Sequence, residues 1–318
     1  FQLRVGFVGV MVLIGFGLLC LRFFHLQVLQ HDTYASKAEE NRISIVPIAP
    51  NRGLILDRNG VVLARNYSAY TLEISPAKVR NVEATIDELA TLIDIRASDR
   101  TRFRRQAFEE KGADSLPIRT RLSDEEVARF AANRYRFPGV DIKARLFRQY
   151  PYGESASHVL GYIGRISARD MERIEADDLG ANYKGTDHIG KTGIEQAYER
   201  ELHGITGSEQ VEVDAAGRGV RSLARTAPTS GNNLALTLDL GLQQAVEAAF
   251  GERRGALVAI EPSTGGVLAL VSRPGFDPNL FVDGIDTENW KELNESPDKP
   301  LLNRALRGTY PPGSTYKP

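Results

Sequence analysis

The 318 residues are 42% hydrophobic and 25% charged, with 40 Lys and Arg against 41 Asp and Glu and a formal net charge of −1. That balance provides no electrostatic footprint for nucleic acid. Cys20 is the single cysteine, which excludes an intrachain disulfide framework, and the length accommodates more than one domain.

The chain opens on residues 5–21, VGFVGVMVLIGFGLLCL, apolar and free of charge, and apolar positions continue at Phe23, Phe24, Leu26, Val28 and Leu29. At about 1.5 Å per residue, the uncharged run alone falls short of the roughly 30 Å hydrocarbon core, so the helix is expected to continue past Arg22. The Arg22 guanidinium can snorkel to the interface. No A-x-A arrangement of small residues follows, which favours an uncleaved signal anchor over a removable signal peptide. The chain begins at Phe1 without an initiator methionine, so residues upstream are expected. So little positive charge lies on the amino side that the positive-inside rule does not decide orientation. Leu19 before Cys20 is not small, so Cys20 reads as a packed apolar thiol and not as a lipid attachment point. Gly6, Gly9, Gly15 and Gly17 would permit close helix approach, although glycine is common in membrane helices in general.

From residue 30 to 42, polar Asp32, Lys37, Glu39 and Glu40 take over, as in a helix leaving a bilayer. Strand patterns follow at 43–48, 53–56 and 61–64, the last two joined by Asp57-Arg58-Asn59-Gly60, a hairpin turn with Asn-Gly suited to positive φ. Helices are predicted over 82–93 and 123–135, the second opened by a Ser123-x-x-Glu126 capping box. Arginines between 96 and 105 alternate with Asp99 and polar residues and read as a solvated helix face. His158, His188 and His203 stand apart without a local ligand cluster, so they are read as structural or surface residues and no metal or cofactor site is expected.

Turn-rich residues 224–233 form the best domain boundary. Beyond it the pattern predicts a strand at 234–238, a helix over 239–250 with Asp239 as N-cap, and a hairpin from 256–260 and 267–271.

S-x-x-K occurs at Ser75 to Lys78, Ser296 to Lys299 and Ser314 to Lys317. In the first two, proline follows serine directly, as in a solvated turn or helix start. Ser314 follows a stiff Pro311-Pro312 approach and Gly313, which lets backbone come close to a ligand. If a helix starts there, the spacing puts hydroxyl and amine on one face, and a lysine kept neutral by burial would accept the serine proton. A plain loop-to-helix junction is the alternative reading of the same residues.

Longer strings then carry a resemblance: PIAPNRGLILDRNGVVLA (47–64), ARFAANRYRFPGV (128–140), YPYGESASHVLGYIG (150–164), IGKTGIEQAYERELHGITG (189–207), LTLDLGLQQ (236–244), PSTGGVLALVSRPGFDPNLFVDGI (262–285) and YPPGSTYKP (310–318). Together they resemble the class B penicillin-binding proteins, in particular the elongation-specific type, for which S-x-x-K is a signature. The resemblance implies an α+β protein in three parts. These are a transmembrane anchor and juxtamembrane helix at 1–29, a periplasmic pedestal of the dimerisation-domain type at 30–228, and the first part of a transpeptidase domain at 229–318. It implies an inner-membrane protein with its N-terminus inside and its bulk in the periplasm.

It further implies that Ser314 attacks a peptidoglycan stem peptide to form an acyl-enzyme, that Lys317 takes its proton, and that β-lactams acylate the same serine. Implied partners are a RodA-type SEDS glycan polymerase and an MreC-type morphogenesis protein. No S-x-N or K-T-G motif follows Ser314 before Pro318, so this polypeptide alone is expected to be catalytically inactive. The alternative function is a membrane-anchored scaffold or activator of the polymerase.

Overall fold

The computed structural model describes residues 2–30, 42–109, 115–213, 219–311 and 313–316. The predicted helix over 30–42 falls mostly outside them. The chain forms two compact units, one of Phe1–Ala49, Ala181–Gly185 and Thr206–Thr229, the other of Pro50–Gly180, Thr186–Ile205 and Ser230–Pro318.

In the first unit, the helix Gln2–Phe24 runs past Arg22 and continues as a π-helical turn, His25–Leu29. Leu13, Phe16, Leu18 and Leu21 on it are exposed, as apolar side chains are when lipid is their solvent. Its apolar stretch Met11–Leu29 spans 19 residues, and among the described residues no other helix is long and apolar enough to cross a membrane. The same unit holds a three-stranded antiparallel sheet, in which Gly207–Val213 lies between Ile43–Ile48 and Gly219–Thr226.

The second unit is built on the strand Val62–Ile74, which pairs antiparallel with Val140–Gln149 along ten residue pairs, from Arg65 with Gln149 to Ile74 with Val140. Val62–Ile74 also pairs antiparallel with Leu116–Leu122 and with the short Ile55–Leu56, beside which Leu234–Ala235 adds in parallel. The predicted strand at 61–64 is thus only the start of a longer one, because flanking partners on both edges satisfy its backbone as far as Ile74. The strand predicted at 234–238 shortens to two residues.

At one end of the long strand, Leu72 and Ile74 pack with Ile86, Leu89, Phe103, Ile118 and Phe130. The helix Val82–Leu89 is capped by Asn81, whose Oδ1 accepts from the Ala84 amide. The helix Asp124–Asn133 carries the predicted capping box in both directions: Glu126 N donates to Ser123 Oγ at 3.2 Å and Ser123 N to Glu126 Oε2 at 2.8 Å. Arginines of the helix Ala97–Glu109 are laced into ion pairs, Arg104 with Glu83, Arg100 with Asp87, and Arg102 with the buried Asp99. At the other end, Ile55, Leu63 and Ala64 pack with Tyr150, Leu160, Leu202, Leu238 and Val282, so residues near 238 and 282 share a core with the strands at 55–56 and 62–74.

Candidate active site

The segment leading to Ser314 is assembled from the hairpin of Gly255–Ile260 and Val267–Arg273, antiparallel as predicted, with Gly265 at φ +73° in its turn. The helix Leu240–Phe250 packs on it, N-capped by Asp239. Gln243 treats the strand as a ladder partner, donating from Nε2 to Leu270 O at 3.0 Å and accepting from Leu270 N at 2.9 Å. Asp57 in the 57–60 turn accepts from Leu240 N at 3.2 Å, and Arg58 N donates to Leu238 O at 2.9 Å, which ties that turn to the start of the helix.

From the hairpin the chain passes through the helix Arg304–Arg307, capped by Asn303, to a single 3₁₀ turn, Gly313–Tyr316. Gly313 sits at φ +53°, in the left-handed region that glycine enters without a Cβ penalty. Ser314 follows it and is exposed. Lys317 lies outside the described residues, so the geometry of the Ser314 and Lys317 pair does too. The other two S-x-x-K strings are turns: Lys78 N donates to Ser75 O and Lys299 N to Ser296 O, each at 3.0 Å.

Two strings that spell later family motifs are otherwise engaged. In Lys191-Thr192-Gly193 the lysine ammonium is bound to Asp170, and Gly193 leaves no room for a Cβ beside Val159 O and Gly161 N. In Ser230-Gly231-Asn232, a Cβ on Gly231 would stand 1.9 Å from Leu202 O.

Pattern reading missed a buried ion cluster. Arg52 donates from Nε to Glu195 Oε2 at 2.7 Å and from Nη2 to Glu199 Oε2 at 2.7 Å. Arg148 donates from Nε to Glu195 Oε1 at 2.8 Å and from Nη1 to Gly53 O at 2.7 Å. Tyr150 Oη adds a bond to Glu195 at 3.1 Å. Burial alone would push the Glu195 carboxyl up, but Arg52 and Arg148 outweigh it and hold the group below the ordinary carboxylate range. Burial, reinforced by Glu195, pushes the Tyr150 phenol well up. Two arginines and two glutamates balance, as buried charges must.

A second tie joins residues 276–283 to the same unit. Asn279 exchanges two bonds with the Tyr150 backbone at 3.0 and 2.9 Å, Phe281 stacks on Tyr162 at 4.1 Å, and a His188 ring nitrogen lies 2.8 Å from Val282 O. Arg121, at φ +56°, pairs with Asp283 at 3.0 Å and lies over the rings of Tyr67 and Phe147. The histidines are thus distributed supports: burial lowers the basicity of His158, His188 and His203, and His203 Nε2 sits 3.1 Å from Thr186 Oγ1.

The model of the penicillin-binding protein dimerisation domain matches residues 47–236, and that of the penicillin-binding protein transpeptidase domain matches residues 255–318. The chain belongs to the penicillin-binding proteins. Among curated relatives of this penicillin-binding protein, peptidoglycan D,D-transpeptidase MrdA of Escherichia coli K12 is 47% identical over 314 residues, 99% of this chain and 49% of the relative. The MrdA of Acinetobacter baumannii is 42% identical, covering 99% of this chain and 46% of its own length. The chain therefore spans about half the length of the curated relatives it matches. A PBP2 in complex with MreC from Helicobacter pylori aligns with a TM-score of 0.67 at 25% identity, covering 82% of this chain and 48% of that one. The PBP2 of Pseudomonas aeruginosa in complex with WCK 5153 aligns with a TM-score of 0.54 at 36% identity, covering 86% of this chain and 39% of that one.

Proposed function

We propose that this chain is the anchor, pedestal and first transpeptidase segment of a peptidoglycan D,D-transpeptidase acting in cell elongation. The anchor is 1–29, the pedestal 30–228 and the transpeptidase segment 229–318. The observation that carries the reading is the match of the transpeptidase model across 255–318, with Ser314 exposed in the turn that follows Gly313.

In this reading Ser314 Oγ attacks the carbonyl carbon of the penultimate D-alanine of a stem peptide, and its proton passes to Lys317. The tetrahedral oxyanion is met by the Ser314 backbone N–H as one donor. Collapse breaks the bond to the terminal D-alanine, which leaves with a proton on its nitrogen, and an ester joins Ser314 to the donor peptide. An amine of a neighbouring stem peptide attacks that ester, forming the cross-link and returning the proton to the serine. A β-lactam enters by the same attack, opening its ring amide, and the acyl group stays.

The apolar helix supports a single-pass anchor in the inner membrane, with the N-terminus inside and the folded bulk in the periplasm. An MreC-type morphogenesis protein and a RodA-type SEDS glycan polymerase are the proposed partners; the first is supported by the likeness to the PBP2 solved with MreC. The test is labelling of the membrane protein with fluorescent penicillin and peptide mapping of the tagged residue. Label on Ser314, lost in Ser314→Ala, is the expected result; label elsewhere, or label retained in Ser314→Ala, overturns the assignment.

A further inference from the structure

The strand Val267–Arg273 ends beside the loop that delivers the Ser314 segment, and one side chain joins the two. Ser272 is 5% exposed. Its hydroxyl donates to Leu302 O at 3.1 Å and accepts from Arg304 N at 2.9 Å, so one oxygen satisfies the backbone on both sides of Asn303. Asn303 is engaged at both ends of its amide: its Oδ1 accepts from Leu306 N at 3.2 Å, capping the helix Arg304–Arg307, while its Nδ2 donates to His158 O at 3.3 Å. Arg304 closes the loop from the other side, donating to Asp298 O at 2.6 Å and Lys299 O at 3.1 Å. Gly308 then packs directly against Arg304 O, where a Cβ would stand 2.4 Å away.

We infer that Ser272 is a positioning residue for acylation at Ser314, its hydroxyl holding the origin of the segment that carries the nucleophile. The inference rests on the transpeptidase reading of Ser314. The chemistry requires a group that both donates and accepts within one buried position. A methyl there would strand a carbonyl and an amide that the irregular backbone cannot pair elsewhere. A nucleophile whose approach must be held to within a fraction of an ångström loses rate when its support loosens, about a hundredfold for a 1 Å misplacement. The Asn303 bond to His158 O extends the same support into the stretch matched by the dimerisation-domain model.

The test is the acylation kinetics of the intact membrane protein with fluorescent penicillin, resolved into a rate constant at saturation and a half-saturation concentration. These quantities do not depend on how much protein is folded. Ser272→Ala is expected to lower the saturating rate constant by about tenfold or more, with a smaller change in half-saturation. Ser272→Thr, which restores the hydroxyl, is expected to return the rate to within about twofold of the parent.

Should Ser272→Ala fail to fold, Ser272→Cys gives the second measurement, since its thiol fills the site while donating and accepting only weakly, with a reduced saturating rate expected. A parental rate constant in folded Ser272→Ala, or in Ser272→Cys, overturns the inference. Label retained in Ser314→Ala would instead overturn the functional reading beneath it.

Discussion

Arg148 donates from Nε to Glu195 Oε1 at 2.8 Å, and neither side chain reaches solvent, at 1% and 0% exposed. Glu195 answers two arginines at once, since its other oxygen accepts from Arg52. The pair therefore belongs to a closed cluster in which each charge is the counter-ion of another.

Removing the shared carboxylate leaves the Arg148 charge buried with neutral partners only. Glu195→Gln is expected to destabilise the fold by about 3–5 kcal/mol, the usual cost of breaking a buried pair from one side. Urea unfolding of the detergent-solubilised protein checks it, and an unchanged midpoint would mean that the cluster adds no stability.

Asp170 lies in the capping box of the helix Ala168–Ala176 and receives the Lys191 ammonium. Burial raises its pKa, but the bonds from Lys191 and Ser167 outweigh it and lower the carboxyl from 3.8 to about 2. A depressed carboxylate stabilises the fold above its unfolded pKa and loses that contribution as pH falls toward the folded value. Between pH 4 and 2, the melting temperature of the parent is therefore expected to fall more steeply than that of Asp170→Asn. Parallel curves in a thermal series across that window would refute the linkage.

Gly161 combines φ +70° with a backbone wall, since a Cβ there would stand 1.9 Å from Thr192 O. Gly161→Ala thus meets strain and overlap together, and neither can be relieved by moving a side chain. The variant is expected to lose several kcal/mol, roughly the top of the range for single substitutions, read as loss of folded protein in a protease-resistance assay.

Ser123 is the cap of the helix Asp124–Asn133. Ser123→Ala is expected to cost about 1 kcal/mol and Ser123→Asp much less, because the aspartate still offers an oxygen to the Glu126 amide. Denaturant midpoints of the two variants measure the difference.

Features legible in the sequence depend on residues a few positions apart. The Asn59-Gly60 turn, the Ser123 box, the Asp239 cap and the 255–273 hairpin all formed where their patterns lay. The Ser314 string was picked out by the proline and glycine before it, and the structure puts Ser314 on an exposed 3₁₀ turn. The length of the strand Val62–Ile74 was not legible, because its end is set by partners at 116–122 and 140–149 and not by its own residues.

The sequence by itself determined the apolar N-terminal helix, the caps and turns and the α+β character, since hydrophobic length, φ preference and side-chain reach act within a turn or two of chain. Only the tertiary structure decided which charges share a carboxylate across 143 residues from Arg52 to Glu195. It also decided that the Lys191 ammonium serves Asp170, and that the Ser272 hydroxyl bridges to backbone 30 and 32 residues away. Those pairings follow from burial. Once the strands and helices close over a polar group, water is no longer its partner, and whichever donor or acceptor the fold brings within about 3 Å must take that place.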